Sequence, residues 1–491
     1  MSTEPSGQRS PRVRSLVALI PLGVLMGLLA LDIVIFGVDS ILGASQVALL
    51  AATAVCVGLS AWLYRTPWKD FEKAVRGNFG EVSQAILILL LIGAISGTWT
   101  MSGVVPAFIC YGIKIISPKV FLLTSCLLCA VVSVMTGSSW TTIATVGVAL
   151  IGIGRAEGFS DAMTAGAIIS GAYFGDKISP LSDTTVLASS VNGVGLFEHI
   201  RYMLFTTVPS IVITLIAFTV LGFLHGGATD SQMEVYTEGL SSTFRITPWL
   251  LLVPAATAWL IYRRKPAVVV LTFGVLAAAV AALVFQPEVV RTIGRAVGEG
   301  SRARLYFSGT VRMIYDSVSL ETGSPAVDQL VSTRGMVGML NTVFLILCAM
   351  CFGAAMKASG MIADLARILF PLTRTRAGLV GSTVVTGTAL NGIVSDQYLA
   401  IILTSNIYRS SFEKEGYEGR LLSRSVEDSA TVTSPLFPWS SCGLTQATIL
   451  SVPTLVYAPF CFFNLLSPLM SFLVALAGWR IVRSRPSSPE V

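Results

Sequence analysis

The sequence predicts an all-α polytopic membrane protein, and three observations carry that reading. Hydrophobic residues fill 53% of the 491 positions and charged residues only 12%, against about 25% charged in soluble domains. Mean hydropathy is +0.76. The apolar runs are long and continuous instead of alternating, which favours helices over a membrane β-barrel. The same counts exclude a disordered chain, a fibrous repeat and an ordinary cytosolic enzyme.

Residues 1–14 are rich in Ser, Pro and Arg and read as a disordered tail. Leu16 to Phe36 is apolar, too long for a signal-peptide core and without an A-x-A cleavage pattern, so it reads as a retained transmembrane helix. Further apolar segments run 46–64, 84–105, 120–135, 139–154, 161–174, 202–223, 248–262, 267–285, 336–356, 377–390, 397–407, 430–443 and 452–479. Segment 67–82 mixes polar and apolar residues and fits an interfacial helix as well as a solvated one. A full span takes about 20 residues. Segments 139–154, 161–174, 377–390 and 430–443 are shorter and interrupted by Gly, Pro or Ser, which points to re-entrant or broken helices. The organisation expected is a tail (1–14), a transmembrane hairpin with an amphipathic segment (15–83), a first transport repeat (84–225), linking helices and a loop (226–335), a second, inverted repeat (336–480) and a disordered tail (481–491).

Net charge is +6. In a membrane protein that excess belongs to cytoplasmic loops and implies no nucleic-acid partner. Arg9, Arg12 and Arg14 place the N-terminus inside. Arg65, Lys69, Lys73 and Arg76 place the second loop inside, as do Arg263, Arg264 and Lys265 for a later one. Arg480, Arg483 and Arg485 do the same for the C-terminus. Acidic residues 225–247 fall outside. Residues 286–335 disagree: they hold six Arg, yet alternation puts them outside.

The halves resemble each other. Leu91 to Gly103 parallels Leu347 to Gly360, and Ser179-Pro180-Leu181 parallels Ser434-Pro435-Leu436. Gly137 to Ser179 and Gly392 to Ser434 are both 42 residues (179 minus 137, 434 minus 392). Basic residues precede segment 84–105 but follow segment 336–356, so the repeat is expected to be inverted. That is the architecture of a secondary transporter, with its site where broken helices of both halves meet.

The chemistry concentrates at Ser170 to Thr185, which offers Asp176, Ser179, Asp183 and Thr184 directly after an apolar run. Carboxylate, hydroxyl and freed carbonyl oxygens suit a hard cation such as sodium. A carboxylate kept from water holds either a proton or a metal ion, and that competition is itself an exchange mechanism. The bland alternative is a solvated loop in which Lys177 pairs with Asp176 or a neighbour. Glu427 and Asp428, with Thr433 and Ser434, sit at the repeat-equivalent position, although an acidic pair at a helix start also serves as a cap. Ser138 and Ser139 belong to a hydroxyl-rich turn, and Ser/Thr there often only bond back to carbonyls. Asn391 and Asp396 lie between two apolar runs, and an ionisable residue at such depth is a functional candidate.

Cys126/Cys129 and Cys348/Cys351 have metal-like spacing but lack nearby His or carboxylate, so packing is the better account. His199 and His225 both fall in expected loops. The motifs of zinc peptidases, serine hydrolases and P-loop ATPases are missing, so the chain is not expected to be an enzyme.

Met135 to Trp140, Ser170 to Thr184, Ser395 to Tyr398, Leu422 to Ser429 and Thr433 to Leu436 together resemble the NhaC family of sodium/proton antiporters over roughly residues 16–480. The stretch 170–184 is the most specific. The resemblance implies a scaffold with a moving transport unit, no cofactor, and a multi-pass protein of the cytoplasmic membrane. Its expected partners are the lipid bilayer, sodium and protons, with a second copy of the chain in a homodimer as a further candidate. It carries site roles over to Asp176, Ser179, Asp183, Thr184, Asp396, Glu427 and Asp428. Asp183 and Asp396 are expected to ligate sodium. The expected function is secondary active exchange of sodium for protons. The alternative is a sodium- or proton-coupled antiporter of a small organic anion or amino acid, as in malate/lactate exchange. A passive channel is disfavoured by the broken, repeat-related helices.

Overall fold

The computed structural model describes residues 11–36, 43–115, 117–225, 230–263, 265–322, 327–328, 331–366 and 375–481. Among them there is no strand, only one isolated bridge between Val318 and Thr333. Eight helices are long and apolar enough to cross a membrane, or ten when each of two bent pairs counts as one span. This is a multi-pass membrane protein. Helices prevail because lipid offers backbone amides no partner, so each must be satisfied inside its own segment.

The chain enters through α1 (Pro11–Phe36) and α2 (Ala44–Leu59). The expectation of a disordered tail through residue 14 gives way at Pro11–Arg14, the first turn of α1. Arg14 is anchored there: its Nε donates to Asp364 Oδ2 at 3.1 Å, and Tyr64 donates to the same oxygen at 3.0 Å. The tail at 482–491 and residues 1–10 lie outside the described residues.

One helix, α3 (Trp68–Met101), runs through both the mixed stretch 67–82 and the next apolar segment. Nothing in 68–101 removes an amide, so the polar stretch simply extends the span. A 66° bend then leads into α4 (Val104–Ile115).

Next come α5 (Phe121–Thr136), α6 (Ser139–Ala156) and α7 (Asp161–Ile178). α5 and α7 are parallel and very close. The Cβ position of Gly171 lies 2.0 Å from the Cys126 carbonyl oxygen, that of Gly175 lies 2.4 Å from Ala130's, and Ser179 Oγ donates to Val134 O at 2.7 Å. Only glycine fits such contacts. The chain continues into α8 (Asp183–Val191) and the long α9 (Leu196–Leu224). His199, expected in a loop, is fully buried in the first turns of α9, because the helix starts at Gly195, well before the apolar run.

α10 (Asp230–Thr243), α11 (Leu252–Tyr262) and α12 (Ala267–Phe285) follow. The basic stretch 286–335 contains two antiparallel helices, α13 (Pro287–Arg295) and α14 (Arg302–Tyr315). Val290, Ile293, Leu305 and Met313 are buried, while Arg295, Arg302 and Arg304 are exposed. Met313 O packs 2.0 Å from the Cβ position of Gly97 in α3. The stretch is therefore an amphipathic helical pair packed on α3.

The second half holds α15 (Leu340–Ala358), α16 (Met361–Ala366), α17 (Arg376–Val394), α18 (Gln397–Lys414), α19 (Gly419–Val426, prolonged by a π turn Glu427–Thr431), α20 (Ser441–Leu450) and, after a short helical turn Thr454–Tyr457, α21 (Phe462–Ala477).

The close α5–α7 pair gives a direct test. Gly171→Val places carbon against the Cys126 carbonyl and is expected to cost about 1–3 kcal/mol or more. Gly77→Ala, with nothing within 4 Å, should stay within about 0.5 kcal/mol. Thermal unfolding of the detergent-purified chain reads both.

A second test concerns pH. Glu157 lies just beyond the span Ser139–Ala156 and is fully buried, with no hydrogen-bond partner on either carboxylate oxygen. Burial pushes its carboxyl from the ordinary 4.5 up to about 8. Within that window the folded chain holds a proton that the unfolded chain releases. Stability is therefore highest at the acid end and falls as pH rises toward the folded value. The wild-type unfolding temperature should decline more steeply across that window than that of Glu157→Gln, and parallel curves would refute the assignment.

Candidate ion-exchange site

Two helical hairpins and two broken helices build the centre of the molecule. The first hairpin turns at Gly137 (φ 66°), the second at Ser395 (φ 59°). Gly392 lies inside α17, with its Cβ position 3.0 Å from the Phe437 ring. Each tip is followed by a capping side chain. Ser138 accepts from Thr141 N, and Asp396 Oδ1 accepts from Tyr398 N at 2.9 Å and Leu399 N at 3.0 Å. One turn before each tip, a side chain donates to the neighbouring helix: Ser133 Oγ to Ala172 O, and Asn391 Nδ2 to Ala430 O, both at 2.6 Å.

The first broken helix parts at Ser179-Pro180-Leu181, whereas Ser434-Pro435-Leu436 forms a 3-10 turn and the backbone becomes extended only at Phe437 (φ −100°, ψ 120°). Pro lacks an amide and drives the preceding residue out of the helical region. Ser179 accordingly is extended (φ −75°, ψ 129°). α8 restarts on the cap Ser182 and α20 on the cap Ser440. Buried helix ends and π turns leave amides and carbonyls that regular helix would consume.

The expected site residues distribute unevenly. Asp176 is buried, and its Oδ2 accepts from Ser139 N at 3.0 Å and Ser139 Oγ at 2.7 Å. Ser179 is buried and bonded to Val134 O. Thr184 is buried, 2.9 Å from Ser182 Oγ. Asp183 is exposed, at the first turn of α8. Asp396 is buried on the amides of α18, with Ser441 Oγ at 3.5 Å. Thr433 accepts from Asn391 Nδ2 at 3.0 Å, and Ser434 donates to Thr431 O at 2.7 Å. Tyr398 stands within electrostatic reach of Asp183, Asp176 and Asp396, so the tips and breaks do converge. Among the described residues, no three His, Cys, Asp or Glu form a metal-holding group.

Glu427 and Asp428 are fully buried in the π turn. Neither carboxylate oxygen of Glu427 has a hydrogen bond. Thr184 and Thr431 stand beside it, with Lys177 and Asp176 in electrostatic reach. Asp428 Oδ1 accepts from Lys177 Nζ, Thr206 Oγ1 and Ser467 Oγ. Arg424 Nε lies 3.8 Å from Asp428 Oδ2, and its guanidinium sits 5.0 Å over the Tyr202 ring. Lys177, Arg424, Thr206 and Ser467 were not singled out as site residues from sequence. A charged residue directly after the apolar run 161–174 was the available signal for Lys177, whereas Arg424 sits in the polar stretch Gly419–Val426 and has none. Nothing marks the hydroxyls apart from those that bond back along a helix.

The charge count of this cluster is informative. Lys177 and Arg424 face Asp176, Glu427 and Asp428, all buried. With every group ionised, three carboxylates meet two cations, and one positive charge is lacking.

A separate cavity of about 380 Å3 lies toward the C-terminal ends of α6 and α20, lined by Thr100, Val148, Arg155, Arg334, Thr448 and Ser451 among others.

The model of the Na+/H+ antiporter family matches residues 12–190 and 171–479. The chain is 35% identical over 460 residues to the Na(+)/H(+) antiporter NhaC of Alkalihalophilus pseudofirmus, covering 94% of this chain and 95% of that one. It is also 35% identical over 415 residues to the malate-2H(+)/Na(+)-lactate antiporter of Bacillus subtilis, covering 84% and 85%. Against the arginine/ornithine antiporter ArcD of Halobacterium salinarum it is 32% identical over 478 residues, covering 96% and 94%.

Removing one member of a buried ion pair strands the others. Asp428→Ala should therefore cost about 3–5 kcal/mol in denaturation. Joint Lys177→Met/Asp428→Leu should recover most of it, and an equal loss in both would refute the pairing.

Proposed function

This chain belongs to the Na+/H+ antiporter family, and from that premise we propose that it is a secondary active transporter exchanging sodium for protons across the cytoplasmic membrane. The carrying observation is the missing positive charge. A buried cluster of three carboxylates and two cations closes neutral with one further monovalent cation. A proton and a sodium ion both satisfy it, and they exclude each other because burying an uncompensated charge is costly. That exclusion converts a sodium gradient into a proton gradient without any covalent step, so the chain acts as a carrier rather than an enzyme.

In this reading Asp176 is the sodium carboxylate. Ser139, at the first hairpin tip, fixes one of its oxygens. Glu427, buried with no hydrogen bond, is the proton carrier. Asp183 is exposed next to the first break and serves the entry path. Asp396 has its charge spread over two amides of α18, which holds the second tip together and leaves it little need of an ion. The roles first expected of Asp183 and Asp396 thus pass to Asp176 and Glu427.

Alternating access needs two similar halves in opposite senses. A hairpin followed by a broken helix recurs in 84–225 and in 336–480, at Gly137 and at Ser395, and that recurrence supports an inverted repeat. Both termini are assigned to the cytoplasm. That end gathers Arg409, which donates to Val191 O, and Arg420, which lies 3.5 Å from Glu198, as the positive-inside rule requires.

The cavity lined by Arg155 and Arg334 favours a second reading, exchange of a small organic anion on the same scaffold. Arg155 is already held by Asp161 at 2.8 Å and 2.9 Å, so among the described lining residues Arg334 is the cation that would meet such an anion.

Purified chain in proteoliposomes separates these readings. Sodium added outside should drive proton movement without any organic acid present. Asp176→Asn and Glu427→Gln should each reduce it to the level of empty vesicles, while Asp183→Asn should weaken sodium affinity severalfold and retain exchange. Full exchange in Asp176→Asn would end the carboxylate assignment. Proton movement that requires a labelled carboxylate or amino acid would transfer the case to the second reading.

A further inference from the structure

Lys177 is the only lysine among the largest fully buried side chains of the described residues. Its ammonium donates to Asp428 Oδ1 and, at 2.9 Å, to Ser467 Oγ. Thr206 Oγ1 is 3.0 Å from the same Asp428 oxygen, and Ser467 Oγ is 3.2 Å from it. The Phe463 ring lies 5.6 Å from the ammonium. A carboxylate oxygen and two hydroxyl oxygens, brought from three separate elements (α9, the π turn after α19, and α21), are the hard-oxygen set that a small cation takes. Three charged or titratable neighbours face it: Arg424 at the other Asp428 oxygen, Glu427 and His199.

Lys177 reaches this set from the last turn of α7, where Thr185 Oγ1 donates to the carbonyls of both Asp176 and Lys177. Its sequence neighbour Asp176 points elsewhere, to the first hairpin tip. Two adjacent side chains therefore serve two separate cation positions. One position is open to exchange. The other is filled by a cation covalently tied to the chain.

We propose that Asp428, Thr206 and Ser467 form a second monovalent-cation site, cryptic in the native protein because the Lys177 ammonium is its built-in occupant. The tether removes Asp428 from the exchangeable charge count, so each cycle carries the single cation that the remaining cluster lacks. The proposal rests on the sodium/proton reading above. It goes further in assigning Asp428 to a site that sodium does not visit unless Lys177 loses its charge.

The test is equilibrium binding of labelled sodium to the purified full chain at about pH 9, where few protons compete. Wild type and Lys177→Arg should bind about one sodium per chain, Lys177→Gln about two, and Lys177→Gln/Asp428→Asn about one again. Equal counts in Lys177→Gln and wild type would overturn the tethered-cation site while leaving the exchange reading intact. Absence of sodium binding in wild type would instead overturn the exchange reading. Should Lys177→Gln not fold, the sodium-induced infrared difference spectrum decides. Lys177→Gln/Asp428→Asn, which is still one positive charge short, must keep every sodium-sensitive carboxylate band seen in wild type, and loss of one overturns the proposal.

Discussion

A carboxylate removed from water has to be neutralised, and this requirement organises the centre of the molecule. Born-type costs for a bare buried ion run to several kcal/mol even after relaxation. The protein answers in three different ways. Asp396 rests on the free amides of a helix N-terminus. Asp428 is matched by a lysine and an arginine. Glu427 receives neither a hydrogen bond nor a cation of its own. Only the third solution leaves something for a mobile ion to do.

The irregular backbone follows from the same need. A continuous helix consumes its own amides and carbonyls. Breaking one helix at Ser179-Pro180-Leu181 and the other just after Ser434-Pro435-Leu436, and turning two hairpins inside the molecule, frees those groups where the carboxylates gather. The close glycine contacts between α5 and α7 keep the broken ends in place. The stretch Glu427–Thr431 adds a π turn, which adds a residue to the turn and disturbs the usual face pattern. Both consecutive acids are fully buried there, although a regular helix would set neighbours about 100° apart.

Much of this was legible in the sequence. The membrane class, the broken segments and both acidic stretches follow from composition, length and Pro/Gly placement. The partners of the charges do not. A reading along the chain pairs Lys177 with Asp176, its neighbour. On a helix adjacent side chains diverge, and the real partner Asp428 lies 251 residues away. Pairing at that separation depends on how the two halves pack, which local pattern does not encode. Asp183 and Asp176 look alike in sequence because both are acids near Pro180. One ends α7 facing a hairpin tip, the other opens α8 facing solvent, and only the geometry of the break distinguishes them. The tip at Ser395 has no local signal, because glycine is the usual left-handed residue. A serine takes that conformation here, and its carbonyl is held by Ser441 N at 2.8 Å.

The cost of this design is visible in its unpaired groups. Glu427 has no hydrogen bond, and the Arg424 guanidinium has none either, resting on the Tyr202 ring and at 3.8 Å from Asp428. An unmade hydrogen bond on a buried polar group costs about 1–3 kcal/mol, so a protein under selection for stability alone would lose both groups or pair them fully. Full pairing, however, would fix the charge balance permanently and leave no vacancy. Replacing the cluster with apolar side chains would remove the vacancy as well. An exchanger has to hold its core one charge short of neutral, with the deficit small enough for a single ion to repair. The fixed pairs Lys177–Asp428 and Arg424–Asp428 are what keep that deficit at one.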